Sequence, residues 1–112
     1  MVVNIRKTAK SGEEIFEAGG RIINVDSDTF KKQLDAFCAK GGKRVILDIS
    51  KIDFIDSFGL GAIVGYHTML QKQGRELVIL NTNPNPDSYM RKLFEMTCLD
   101  VIFKVIDAEE KL

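Results

Sequence analysis

The sequence has no tryptophan, two prolines, two cysteines and a single histidine among its 112 residues. Cys38 and Cys98 lack CxxC spacing and stand in apolar-periodic surroundings, so they read as buried thiols and not as a disulfide framework. A zinc site needs about four ligands, which two distant cysteines and His67 do not supply. Neither sign of charge is in excess, because 16 basic and 16 acidic residues cancel. The net field therefore gives no reason to expect nucleic acid or an anionic membrane as the main partner. No segment approaches the ~20 apolar residues of a membrane span, and residues 1–20 hold no long apolar run. This predicts a soluble, cytoplasmic protein without membrane insertion. No glycine-rich phosphate loop of the Walker or dinucleotide type occurs, so no cofactor is expected.

What is present is a composition 45% hydrophobic and 29% charged, suited to one globular domain over residues 1–112. Val3 and Ile5 alternate with polar neighbours, and Ile15-Phe16 follow a turn at Lys10 to Glu13, which predicts an opening hairpin whose second strand Gly19-Gly20 breaks. Asp26 to Asp28 supply candidate N-caps for a helix to about residue 39, with Phe30, Leu34, Phe37 and Cys38 on one face, ended by Gly41-Gly42 in left-handed geometry. Val45 to Ile49 is a short β-branched run fitting a strand covered on both faces. A connection over 50–55 leads to a helix from Ser57 to about Gln73, ended by Gly74. Leu77 to Leu80 repeats the buried-strand pattern. After the turn-rich Asn81 to Pro86, a helix opens at Pro86 and runs to about Met96. A strand over 102–105 and a short acidic helix close the chain. This alternation predicts an α/β domain with a mixed, largely parallel sheet of about four to five strands joined by crossover helices.

The helix after Ser57 is unusual because it lacks charge on both sides. At about 100° per residue, Leu60, Ile63, Val64, His67 and Leu70 form a stripe for the sheet, and Phe58, Gly61, Ala62, Gly65 and Met69 form the opposite one. An outward stripe without charge predicts a partner, whose backbone could approach over Gly61, Ala62 and Gly65 while Phe58 and Met69 offer adaptable apolar contacts. Those glycines each cost about 1 kcal/mol of helix propensity. Ser57 and Asp56 are both able to cap this helix. A phosphate on Ser57 would add about −1.5 to −2 charges beside free helix N–H groups, leaving the fold intact while obstructing a partner at that end.

The runs Val45-Ile46-Leu47-Asp48-Ile49-Ser50, Phe54-Ile55-Asp56-Ser57-Phe58-Gly59-Leu60-Gly61 and Leu93-Phe94-Glu95-Met96-Thr97-Cys98-Leu99, in that order and spacing, resemble the STAS domain family over almost the whole chain. Within it, a stand-alone domain of this size resembles the bacterial anti-sigma factor antagonists. The resemblance implies a transcription regulator that, when unphosphorylated, binds an anti-sigma factor that is also a serine kinase, so freeing a sigma factor. It implies phosphorylation of the serine matching Ser57, removal of that phosphate by a serine phosphatase, and a place for Asp56 in the partner-contact region. The sequence departs from the family pattern in three places. Ile23 stands where many members have an aspartate on the partner surface, Phe58 replaces a commonly small residue, and Cys98 replaces a frequent glycine.

Three other readings compete. Asp48 resembles the acceptor carboxylate of a receiver domain, but the accompanying acidic pair and late lysine are missing, leaving Asp48 as a structural residue at a strand end. A non-switching STAS scaffold subunit in a stress-signalling or lipid-transport assembly would use Ser57 only as a cap. An enzyme with Ser57 as nucleophile would need a base, and His67 lies about three helical turns away toward the core face. Asp48, Asp53 and Asp56 follow no known ligand pattern, so no metal is expected. Lys31-Lys32 and Arg91-Lys92 read as solvated helix faces.

Overall fold

The computed structural model describes residues 1–112. The chain forms strands β1 (Val2–Lys7), β2 (Glu14–Ile22), β3 (Arg44–Ile55), β4 (Glu76–Leu80) and β5 (Lys104–Ile106), with helices α1 (Val25–Lys40), α2 (Ser57–Lys72), α3 (Tyr89–Met96) and α4 (Leu99–Ile102), and a final 3₁₀ turn over Glu109–Lys111. The sheet order is β1-β2-β3-β4-β5. β1 pairs antiparallel with β2, and every later neighbour is parallel. This is the mixed α/β domain expected from the alternation of elements.

One face of the sheet carries the main core. Phe16, Ala18, Val45, Leu47, Ile49, Leu77 and Ile79 pack against Phe30, Leu34 and Phe37 of α1, Ile63, Tyr66 and Leu70 of α2, and Met90 and Phe94 of α3. The opposite face buries a smaller set, Ile15, Ile46, Val78, Leu80 and Ile106, with Leu112 against it. Both sides of β3 and β4 are thus covered, which is why their sequences are apolar at successive positions.

Several boundaries differ from the sequence expectations for identifiable reasons. β2 is not broken at Gly19-Gly20 but continues to Ile22. A side chain at Gly19 would put its Cβ 3.1 Å from the Lys51 Cβ, and Gly20 has φ +82°, so the glycines permit close, irregular pairing instead of ending it. The expected connection 50–55 is strand, because Ile52 and Ile55 bury on the helix side while pairing with β2 across two register shifts. α1 begins at Val25 after Asn24 in a left-handed conformation (φ 55°), and Asp26 and Asp28 lie in its first turn. Gly41, with φ −71°, ends α1 in extended backbone; Gly74, with φ +70°, uses the left-handed region.

Later elements shift as well. α3 opens at Tyr89 and not at Pro86. The side-chain oxygens of Asn81, Asn83 and Asn85 each accept from the backbone N–H two residues onward, at 3.2, 3.0 and 2.9 Å, and these Asx turns hold the loop away from helix. The last strand starts at Lys104, with the turn of α4 before it. Cys38 is buried, and its thiol pKa is pushed up to about 11 by that burial. Cys98 is exposed in left-handed geometry (φ 58°), which corrects the expectation of two buried thiols and explains a position suited to glycine.

Asp48 lies within β3 and is 3% exposed. Arg6 Nη2 donates to it at 2.9 Å, and Ser50 donates through both its N–H (2.9 Å) and its hydroxyl (2.5 Å). Arg6 also donates to Glu17 at 3.0 Å and to Glu109 at 2.5 Å. The carboxylate is therefore a partnered structural group, in mid-strand and not at the strand end.

Candidate partner-binding site

β3 delivers Asp56 directly into the start of α2. Its Oδ1 accepts from the Gly59 N–H at 2.9 Å and its Oδ2 from the Asn24 N–H at 3.0 Å. One carboxylate thus caps α2 and ties it to the turn between β2 and α1. The Gly59 N–H is the chief reason the Asp56 carboxyl sits below its ordinary value of 3.8. Because Asp56 occupies the cap, Ser57 becomes the first helical residue, exposed to solvent with its hydroxyl outside the capping role.

The face that α2 buries is centred roughly 80° from the expected one at about 100° per residue. Ala62 and Tyr66 are buried along with Gly59, Ile63 and Leu70. Leu60, Val64, His67 and Met69, expected to be sorted cleanly between the two faces, are all half-buried. Ala62 and Met69 therefore leave the outward stripe: Ala62 is 7% exposed, and Met69 packs against the main core. The exposed positions are Ser57, Phe58, Gly61, Gly65 and Thr68, followed by Gln71 and Lys72 in the last turn. The stripe is still uncharged for most of its length.

The three glycines of α2 separate by role. A Cβ on Gly59 would lie 2.8 Å from Ile55 Cγ1 and 3.1 Å from its Cδ1, whereas Gly61 and Gly65 have nothing within 4 Å. Glycine at 59 lets the helix start sit on β3; at 61 and 65 the fold makes no such demand. Gly61→Ala and Gly65→Ala should each raise stability by up to about 1 kcal/mol from helix propensity. Gly59→Ala should lower it by about 1–2 kcal/mol because overpacking outweighs that gain. Urea unfolding midpoints check the signs; a Gly61→Ala protein less stable than wild type would mean that the exposed face is packed.

Around Ser57 the structure adds Phe54, Val25 and Arg21 to Phe58, which the expected stripe already held. Phe54 is 37% exposed, Phe58 51% and Val25 78%. Phe54 stacks on Tyr89 with ring centroids 5.2 Å apart, and the Tyr89 hydroxyl donates to the Ile55 carbonyl at 3.1 Å. Arg21, opposite Phe54 in the β2/β3 pairing, places its guanidinium carbon 5.2 Å from the Phe54 ring centroid. Ile23 is half-buried. The available signal was the unusual pair of aromatics, Phe54 and Phe58, flanking Asp56-Ser57.

His67 lies edge-on to Phe103, ring centroids 4.7 Å apart. Ten residues of helix separate it from Ser57, about 15 Å along the axis, so the two do not form a nucleophile and base. Asp48, Asp53 and Asp56 likewise do not converge on a metal-binding cluster. No helix is long and apolar enough to cross a membrane.

Comparison with known proteins places this geometry among similar chains. The STAS domain family model matches residues 4–112. The anti-sigma F factor antagonist of Paenibacillus polymyxa is 26% identical over 110 residues, covering 97% of this chain and 91% of that protein. The anti-sigma-B factor antagonist of Listeria monocytogenes is also 26% identical over 110 residues, covering 98% of this chain and 92% of that one. Among solved structures, the anti-sigma factor antagonist SpoIIAA in its unphosphorylated form superimposes with a TM-score of 0.66 at 18% identity, covering 98% of this chain and 92% of that one. Its phosphorylated form, from Bacillus, gives 0.67 at 18% identity, covering 98% and 96%.

Proposed function

The chain belongs to the STAS domain family, and from that premise we propose that it is an anti-sigma factor antagonist switched by phosphorylation at Ser57. In this reading the unphosphorylated protein binds an anti-sigma factor that is also a serine kinase, releasing a sigma factor. Phosphorylation ends the binding, and a serine phosphatase restores it. The protein acts by occupying its partner and catalyses no reaction itself. Such a regulator works in the bacterial cytoplasm.

The observation that carries the proposal is the division of labour at the start of α2. Asp56 holds the cap, so Ser57 can be modified without uncapping the helix, and its exposed hydroxyl borders the uncharged stripe of Phe58, Gly61 and Gly65. The glycines, unconstrained by the fold itself, suit close approach of another backbone. Ala62 and Met69 support this stripe from its buried side, and Asp56 fixes its end. A phosphate would meet the positive end of the helix dipole but would stand beside the Asp56 carboxylate, in the path of an incoming apolar surface.

The test is phosphorylation by the cognate anti-sigma factor. Incubation of the full chain with that kinase and ATP should add one phosphate, seen by intact mass, and Ser57→Ala should receive none. Modification of Ser57→Ala to the same extent would place the switch elsewhere.

A further inference from the structure

Of the five arginines in the sequence, four donate at least one side-chain hydrogen bond within the chain. Arg6 and Arg44 hold carboxylates, Arg75 donates to the carbonyls of Cys38, Gly41 and Gly42, and Arg91 donates to the Asn83 carbonyl. Arg21 is exposed and takes part in none of the salt bridges. Its position is nevertheless defined. The guanidinium lies over Phe54, Phe54 stacks on Tyr89, and Tyr89 is tied to the Ile55 carbonyl.

The strand pairing produces this isolation. Gly20 pairs with Ile52, but Arg21 pairs with Phe54, because β3 has one more residue, Asp53, at that point. Without the irregularity Arg21 would stand opposite Asp53, a carboxylate able to pair with it across the strands. The bulge moves it beside an aromatic ring instead, two residues from Asp56 in the neighbouring strand. Bulges commonly re-aim side chains next to functional sites. A guanidinium stacked on a ring loses side-chain freedom while keeping the planar fork of N–H donors that matches a carboxylate.

We propose that Arg21, held on the Phe54–Tyr89 stack, is a specificity-determining residue that receives an acidic side chain of the protein partner docking at the Ser57 end of α2. The inference rests on the reading of that end as a protein-binding surface and adds the chemistry of what the partner brings. Charge complementarity selects the occupant: the large exposed hydrophobic side chains near Ser57 are Val25, Phe54 and Phe58, and Arg21 is the cation that lies on Phe54. An aspartate or glutamate in a partner's apolar surface would find a bidentate mate here, shielded from water by the aromatic rings.

Two measurements test this. In the first, the isotope-labelled full chain is titrated with hexaglutamate, and the Arg21 side-chain N–H resonance is followed by NMR. It should shift, should not shift with hexalysine, and should respond much less in Phe54→Ala. In the second, affinity for the cognate anti-sigma factor is compared among variants. Arg21→Glu should bind about 100-fold more weakly, as expected for placing like charges across an interface, and Arg21→Lys about 10-fold more weakly for loss of the planar fork. Lys43→Glu, an exposed charge reversal on the loop before β3, should change affinity less than about twofold. An unshifted Arg21 resonance, or Arg21→Glu affinity within twofold of wild type in a complex that Ser57→Asp weakens, overturns the assignment. Failure of the wild-type protein to bind any anti-sigma factor would instead overturn the proposed function, and the hexaglutamate titration would still decide the role of Arg21.

Discussion

Ser57→Asp should leave the unfolding temperature close to that of wild type while weakening binding to the cognate anti-sigma factor by about 100-fold, the scale of burying an unpaired charge in an interface. The two halves of this expectation come from different observations. Ser57 is exposed and is not the cap, which Asp56 supplies through Gly59, so a carboxylate at 57 disturbs no native hydrogen bond. Acidic residues are favoured in the first turn of a helix, which sets the stability change within a few tenths of a kcal/mol to about 1 kcal/mol in either direction once repulsion from Asp56 is included. Binding is different, because the proposed docking surface around position 57 exposes Val25, Phe54 and Phe58, and any new charge there must lose its water. Ser57→Ala should bind as wild type does. Calorimetric titration of the three proteins, with thermal unfolding alongside, checks the pair of outcomes. Equal affinity of all three would remove the charge switch, and a large fall in unfolding temperature for Ser57→Asp would mean that position 57 is structural.

Arg6→Ala should damage the fold, lowering stability by about 2–3 kcal/mol, somewhat less than for a fully buried pair because Arg6 itself is partly exposed. That corresponds to a fall of roughly 10 °C in unfolding temperature for a domain of this size. Asp48 is almost fully buried and Glu17 largely so, with side chains 4% and 12% exposed, whereas the Arg6 side chain is 34% exposed. Removing the guanidinium leaves Asp48 with only the Ser50 donors and frees Glu109 from its long-range contact with β1. Arg6→Met combined with Asp48→Asn should cost less than the sum of the single changes, since the double variant removes the unpaired charge.

The same network sets an acid limb. Burial would raise the Glu17 carboxyl, but the Arg6 hydrogen bond together with Lys51 holds it below its ordinary 4.5. A depressed carboxylate contributes stability that is complete above the ordinary value and is lost as pH falls through the lowered one. In Arg6→Ala burial is opposed only by Lys51, so the Glu17 carboxyl should rise and its acid-dependent loss of stability should shrink. Urea midpoints measured from pH 7 down to pH 3 on both proteins check this; parallel curves would show that Arg6 does not control Glu17.

How far the sequence reaches is clearest along α2. The helix, its start at Ser57 and its end before Gly74 are legible from capping chemistry and period, and so is the absence of charge over most of its exposed length. Its rotation is not. Small residues carry no instruction about facing, because Gly59 is small so that the sheet can come close and Ala62 is buried, whereas Gly61 and Gly65 are small in open space. The buried helix face is centred on Gly59, Ala62, Ile63, Tyr66 and Leu70, and a pattern based on the large aliphatics misplaces it. The β3 boundary fails for a related reason. Lys51, Asp53 and Phe54 interrupt the apolar run, but across the bulges their backbones still pair with β2.

The amino-acid sequence alone determined the order of elements, the largely parallel sheet, the family resemblance and the position of Ser57, because these follow from local periodicity, caps and spacing along one chain. Tertiary structure decided which side of α2 faces outward, that Asp56 and not Ser57 closes the helix, that Asp48 is neutralised by Arg6 from β1, and that Arg21 lies on Phe54 without a carboxylate. Each of these depends on which distant atoms occupy the space beside a residue, and that is set by the close packing of helix on sheet and by the register of β2 against β3.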